Sequence, residues 1–233
     1  MPFSGFSPRA IAFLADLSQN NNREWFESQR EPFDALLLAP AKELVTELGS
    51  RLQELDPSIR AVARVGGSIK AFELRRRFQQ RALPPYKPHI DLWFWSGPRR
   101  PWDNSGFYLR LGTTRLVLAS GMIEFQKEAL ARYRESVLDD QRGTALSTIA
   151  RDLREAGYSI GGEGYKKTPP GVPADFARAA LTRHRGLFAT HDAPHPPELD
   201  TPAFVDFCFA HFARMNPLHT WLVTMQAAHI PAV

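Results

Sequence analysis

The sequence predicts an α+β fold in one domain over 1–233, with a mainly antiparallel sheet over about residues 60–120 plus later strands, packed with N- and C-terminal helices. Three observations point there. Before Pro57 the apolar residues recur at the i, i+3, i+4 spacing of buried helix faces. After it they fall in short β-rich runs punctuated by Gly and Pro, and from residue 124 onward helical spacing returns. Helices, then strands, then helices is the order of an α+β chain rather than of an alternating α/β one.

Ser7 before Pro8 reads as an N-cap and first helical residue, and Ile11, Phe13, Leu14 and Leu17 give the first helix its apolar stripe. Asn20, Asn21 and Asn22 end it. Asn21 stands three residues before Glu24, the spacing of a capping box, so a second helix carrying Trp25, Phe26 and Phe33 is expected to start there. Pro32 is expected to kink it and Pro40 to restart it, leading into a third helix over 41–55 on Leu44, Val45, Leu48 and Leu52. Strands are expected over 68–72, 89–95, 106–111 and 115–119, the last two joined by a hairpin at Gly112-Thr113-Thr114. Helices follow over 124–137 and 144–155, the second closed by Gly157. The Gly-, Lys- and Pro-rich stretch 158–173 predicts a strand and an extended loop, 175–183 a short helix, and 191–197 another loop. Pro202 opens a last helix, expected to break at Asn216-Pro217 and to resume to about Ala228.

Hydrophobic residues at 43% and charged residues at 23% are globular values, and no run of about 18 apolar residues offers a membrane span. The opening Met-Pro-Phe-Ser-Gly-Phe lacks the regions of a secretory signal, and the lone Cys208 excludes an intramolecular disulfide, so a cytoplasmic location is expected. Cys208 sits among Phe204, Phe207, His211, Phe212 and Met215 at helical spacing, the setting of a buried structural thiol. No cofactor motif is present, and no cofactor is expected.

The formal net charge of +4 is unevenly spread. Residues 60–115 hold twelve Lys and Arg against Glu73, Asp91 and Asp103, a local excess of nine, and the rest of the chain is net negative. Clustered positive charge attracts anions, from phosphorylated metabolites to nucleic acid. A solvated sheet face is the plain alternative, since 23 of the 29 basic residues are Arg.

The densest chemistry lies in 75–89, where Arg75, Arg76, Arg77 and Arg81 precede Pro84, Pro85, Tyr86, Lys87, Pro88 and His89. If a strand starts at His89, then Lys87, His89, Asp91, Trp93 and Trp95 project to one side and Ile90, Leu92 and Phe94 to the other. Lys and Arg near a His suit a phosphate or carboxylate, Arg as a planar fork and Lys as a point charge. His89 beside Asp91 has the pairing of a base and its orienting partner, which makes these two the candidate catalytic residues.

Other motifs are weaker. The run Gly161-Gly162-Glu163-Gly164 before Lys166, Lys167 and Thr168 fails the Walker spacing, which leaves an anion nest or a plain strand-connecting turn. His191, Asp192, His195, Glu198 and Asp200 have the residue types of a metal site without its spacing, and no metal is expected. Ser105-Gly106 and Ser120-Gly121 lack the flanks of a nucleophile elbow. Trp93, Trp95, Phe107 and Tyr108 either stack nucleic-acid bases or pack a core.

Three stretches carry a family likeness. The run from Asn20 to Phe26 resembles an "NNxREWF" signature, Arg77-Phe78 with Pro85-Tyr86-Lys87 resembles "RDxRFSKDKxPYK", and Lys167-Thr168-Pro169-Pro170-Gly171 with Asp175 and Arg183-His184-Arg185 resembles "KxxPxG…DHP…RHK". Together, in order and spacing, they make the chain similar to the uncharacterised bacterial and fungal family called domain of unknown function 2461. The resemblance implies a shared fold, brings no activity or catalytic residue with it, and suggests that Arg77, Tyr86, Lys87 and Lys167 converge. Gln79-Gln80-Arg81-Ala82 depart from the family's Ser-Lys-Asp-Lys, and Phe176-Ala177 from its His-Pro after Asp175, so a family activity built on those residues is expected to be altered or lost here.

The function these readings favour is a cytoplasmic domain that binds a small anionic ligand, with catalysis left open. The expected ligand-binding residues are Arg77, Tyr86, Lys87, His89, Lys167 and Arg183. A nucleic-acid binder using the basic face 60–115 is the alternative from another class, and a structural or protein-partner module is the third. No membrane partner is expected.

Overall fold

The computed structural model describes residues 2–73, 84–97, 101–173 and 175–227. The basic run Arg75, Arg76, Arg77 and Arg81, with Gln79 to Ala82, lies outside the described residues. Among those described, helices α1 (Pro8–Gln19), α2 (Arg23–Ser28), α3 (Arg30–Phe33) and α4 (Ala39–Leu55) come first. The strands β1 (Ile59–Arg60), β2 (Ile90–Ser96), β3 (Gly106–Leu111) and β4 (Arg115–Met122) follow. Then come α5 (Lys127–Leu138), α6 (Asp140–Glu155), β5 (Ser159–Glu163), β6 (His184–Pro194) and α7 (Phe204–Ala227). The strands form an antiparallel six-stranded sheet in the order β1-β2-β3-β4-β6-β5. The fold is α+β.

The chain divides into two compact units. The first comprises Met1–Phe94, Tyr108–Leu118 and Asp192–His211. Its aromatic core is built by the four N-terminal helices: Phe26 lies 5.1 Å from Phe33 and stacks at 4.0 Å on Tyr86, and Phe33 meets Phe72 edge-on at 4.5 Å. Such ring pairs add about 0.5–1.5 kcal/mol each beyond the area they bury. The three asparagines between α1 and α2 each do something different. Asn20 Nδ2 donates to the Asp16 carbonyl at the end of α1, and Asn22 Oδ1 accepts from the Trp25 N–H as the N-cap of α2. Asn21 is thus not the cap that its spacing from Glu24 predicts; its amide turns instead to the Tyr86 backbone, donating to the carbonyl at 2.8 Å and accepting from the N–H at 2.9 Å.

Pro40 lacks the N–H that would bond back to Leu36, and the chain answers with a π-helical turn over Asp34–Leu38 that leads into α4. The expected strand over 68–72 is not one. Two glycines, Gly66 and Gly67, bend the chain there, and among the described residues it forms isolated bridges, from Ile69 to Leu92 on β2 and from Glu73 to Tyr86 ahead of β2.

The second unit comprises Trp95–Phe107, Ala119–His191 and Phe212–Val233. Tyr133 on α5 is its most enclosed large side chain, stacked on Phe125 at 4.6 Å with its hydroxyl donating to the Leu181 carbonyl. Asp139 caps α6 by accepting from the Arg142 N–H, so the helix starts ahead of Gly143 rather than after it. Gly143 is there because a Cβ would sit 2.6 Å from Arg178 Nε, and that guanidinium donates to the Val137 carbonyl across the α5–α6 junction.

Two further expectations fail in regions governed by packing. Residues 175–183 form turns ending in a 3-10 turn at Leu181–Arg183 instead of a short helix, and 191–194 extend strand β6 instead of opening a loop. α7 runs unbroken through Pro217, because Cys208, Phe212, Met215, Leu218, Leu222 and Met225 continue one buried stripe across it. Burial of that stripe outweighs the one backbone hydrogen bond that proline removes.

Candidate anion-binding site

In the first unit the chain around Lys87 is fixed by backbone bonds on both sides. Asn21 holds Tyr86, the Lys87 N–H donates to the Phe72 carbonyl at 2.9 Å, and the Lys70 N–H donates to the Asp91 carbonyl at 2.9 Å. Lys87 and His89 are thereby set beside the start of β2, where Asp91 is the first side chain on their face. On neighbouring β3, alternation points Tyr108 and Arg110 to one common side.

Lys87, His89, Tyr108 and Arg110 meet on the Asp91 carboxylate. Asp91 Oδ1 accepts from the Tyr108 hydroxyl at 2.5 Å and from Arg110 Nε at 2.8 Å. Its Oδ2 faces Lys87 Nζ at 3.5 Å and His89 Nε2 at 3.4 Å. Asp91 is only 7% exposed, whereas the Arg110, Lys87 and His89 side chains are 44%, 24% and 22% exposed. The carboxylate is the buried anchor, and the cations stand between it and water. Below them Trp93 shares the Asp91 face of β2, meeting the Tyr108 ring edge-on at 5.6 Å and lying 5.3 Å from the Lys70 ammonium.

Electrostatics follow from that geometry. Burial alone would raise the Asp91 pKa, but the His89 ring, the Arg110 guanidinium and the Tyr108 hydroxyl outweigh it and hold the carboxyl well below the usual carboxylate range. Burial, and then the Asp91 charge, push the Tyr108 hydroxyl far above its usual value, so it stays a donor. Burial opposes the charge on Arg110, yet the hydrogen bond to Asp91 more than compensates and strengthens its hold on the proton. An ionised carboxylate is acceptor-only, so Nε2, the His89 nitrogen facing it, is a nitrogen that carries hydrogen. Counted by charge, Lys87 and Arg110 exceed Asp91 by one. The Arg110 guanidinium spends Nε on Asp91, and among the described residues its two terminal nitrogens remain as a fork for an oxyanion.

The structure therefore brings together Lys87, His89 and Asp91 from the sequence-based set, and adds Tyr108 and Arg110. Tyr86 is buried with its ring stacked on Phe26, and it contributes to the site through its backbone. Lys167 and Arg183 belong to the second unit, where Lys167 is exposed on a loop and Arg183 Nη2 lies 3.4 Å from Glu163 Oε1. Arg77 lies outside the described residues. The missing pair, Tyr108 and Arg110, was marked by alternation within 106–111, but nothing in the sequence gave the strand register that sets them opposite Asp91.

The remaining motifs resolve into packing. The glycine run lies opposite a register irregularity: β5 pairs antiparallel with β6, the register shifts between Gly161 and Glu163, and Gly162 has φ +107 where a Cβ would meet the Gly186 carbonyl. Asp192 is held by Arg115 at 2.6 Å, and His195 Nε2 lies 3.0 Å from the Gly112 carbonyl. Among the described residues no three His, Cys, Asp or Glu side chains gather as metal ligands. Cys208 is fully buried, and burial pushes its thiol well up. Trp93 and Trp95 are 8% and 7% exposed and Phe107 is enclosed, so their faces are turned to the core.

A helix-flanked antiparallel sheet carrying a buried carboxylate ringed by exposed cations is the class of protein seen here. The chain belongs to the family of conserved hypothetical proteins called domain of unknown function 2461, whose family model matches residues 9–221. No curated protein matches the chain.

Proposed function

We propose that the chain binds a small anionic ligand, a phosphate or a carboxylate, through Lys87, His89 and Arg110. One observation carries the reading: two partly exposed cations, Lys87 and Arg110, and the His89 ring converge on a single buried carboxylate that neutralises only one of the two charges. Asp91 fixes where the cations stand, and Tyr108 spends its hydroxyl on Asp91 rather than on the ligand. A ligand oxyanion completes the charge balance, bridging the terminal nitrogens of Arg110 and the Lys87 ammonium. With Asp91 behind it, His89 also has the orientation of a proton acceptor toward that ligand. No described helix is long and apolar enough to cross a membrane, and a fully buried single thiol suits the reducing cytoplasm, where we place the protein.

Nucleic-acid binding by the same face draws less support, because the tryptophans that would stack bases are buried. A thermal-shift panel of phosphate, citrate and chloride at matched ionic strength separates the readings. The expected result is a higher midpoint with phosphate or citrate than with chloride, lost in Lys87→Ala and in Arg110→Gln. Equal midpoints in all three salts, or an unchanged shift in both variants, would contradict the proposal. A salt-sensitive gel shift with a single-stranded oligonucleotide, abolished by the same variants, would move the site to nucleic acid.

A further inference from the structure

Within the Asp91 cluster the groups that face a ligand are not alike in their hydrogen bonding. Lys87 and Arg110 present N–H groups only, so toward an anion both are pure donors. Tyr108 gives its hydroxyl hydrogen to Asp91 Oδ1. The His89 ring differs from all three, because a neutral imidazole has one N–H and one bare nitrogen that accepts.

Asp91 decides which nitrogen is bare. His89 Nε2 faces Asp91 Oδ2 at 3.4 Å, and that carboxylate is 7% exposed and ionised. A lone pair turned on it would be repelled, so in the neutral ring the hydrogen sits on Nε2 and Nδ1 is the acceptor. Nδ1 lies across Cε1 from Nε2 and is directed away from the carboxylate. Among the described residues nothing hydrogen-bonds to it. Lys87 Nζ faces the same Oδ2 at 3.5 Å, so ammonium and ring are neighbours, and their side chains are 24% and 22% exposed. The site therefore combines donors for an oxyanion with one fixed acceptor beside them.

We infer that its ligand is an oxyanion carrying a hydroxyl hydrogen of its own, either hydrogen phosphate or a carboxylate with a hydroxyl on the neighbouring carbon. This rests on the anion-binding reading of the site and narrows its ligand. The charged oxygens meet the Arg110 terminal nitrogens and the Lys87 ammonium, and the O–H donates to His89 Nδ1. Sulfate and a plain carboxylate match the donors equally well. Against Nδ1, however, they set an oxygen lone pair or a C–H group, so the acceptor loses its water and gains no hydrogen bond.

Two pairs of nearly isosteric anions test the inference. Sulfate and the hydrogen phosphate dianion share shape and charge and differ by one hydrogen; propionate and lactate differ by one hydroxyl. Calorimetric titrations are run at matched ionic strength and at about pH 8, where an unperturbed imidazole is neutral. Wild type is expected to bind the hydroxyl-bearing member of at least one pair at least about tenfold more tightly than its mate. The pair that shows the preference identifies the ligand as phosphate or hydroxy acid. His89→Phe keeps a ring without an acceptor and is expected to bring the members of that pair within about twofold of each other. Equal affinities within both pairs in wild type, or a preference unchanged in His89→Phe, would overturn the inference. If Lys87→Ala nevertheless weakens all these anions alike, the anion-binding reading survives that result. Binding of none of them to wild type would remove that reading and this inference with it.

Discussion

Removing the Asp91 carboxylate leaves Lys87, His89 and Arg110 facing one another without their common counter-charge. Because all three are partly exposed, water recovers some of the loss, and Asp91→Asn is expected to cost about 1–3 kcal/mol in urea unfolding. The same residue sets an acid dependence. Its folded pKa lies below the unfolded value of about 4, so its stabilisation is fully present above that pH. As the pH falls the unfolded chain takes the proton first, and the stabilisation drains away toward the folded pKa. Asp91→Asn is expected to flatten that acid limb; a variant with the wild-type slope would place the titration elsewhere. Asn21 makes a comparable case without charge. Asn21→Ala breaks two bonds to the Tyr86 backbone and is expected to cost about 1–3 kcal/mol, with faster amide exchange at Tyr86 and Lys87 as its local signature. The sequence showed Lys87, His89 and Asp91 sharing a face, since alternation needs only neighbours in the chain. It did not show Asn21 beside Tyr86, 65 residues away, because a contact of that range is created by the fold.

At the level of elements, β5 and β6 depend on close backbone approach. An added Cβ at Gly162 would lie 2.1 Å from the Gly186 carbonyl oxygen at a φ that side chains rarely adopt. Gly162→Ala is expected to lower stability by at least about 2 kcal/mol, and a neutral result in thermal unfolding would contradict the close approach. His184, at the start of β6, is buried, and burial lowers its pKa. The unfolded chain therefore protonates first as the pH drops below 6.5, and stability declines from there toward the folded pKa. His184→Asn is expected to remove that part of the slope in unfolding measured from pH 7 downward. Legibility divides along the same line. β3, with its 106–111 alternation, and α1, with its Ser7-Pro8 start, could be read because pattern and cap are local signals. β6 could not, because Gly186, Thr190 and Pro194 look like loop residues, and only membership of the sheet, as in the pairing of Thr190 with Ser159 of β5, makes a strand of the segment. The unbroken α7 was hidden by Pro217, whose helix-breaking tendency yields only to burial on either side.

For the whole molecule, the local charge excess predicted from 60–115 is distributed over several tasks. Among the described members, Arg115 holds Asp192, Lys70 lies over Trp93, and Lys87 with Arg110 gathers on Asp91. Of these, the last group combines a buried counter-charge with partly exposed cations, which is why the anion proposal is placed there. Family membership extends that fold over residues 9–221 and leaves the ligand to chemistry. The most direct test is phosphorus NMR of inorganic phosphate titrated with the protein, comparing wild type with a Lys87→Ala, Arg110→Gln double variant checked for native circular dichroism. The account predicts broadening and a shift with wild type that weaken as chloride is raised and fall at least about tenfold in the variant. An identical phosphate signal with both proteins would contradict it.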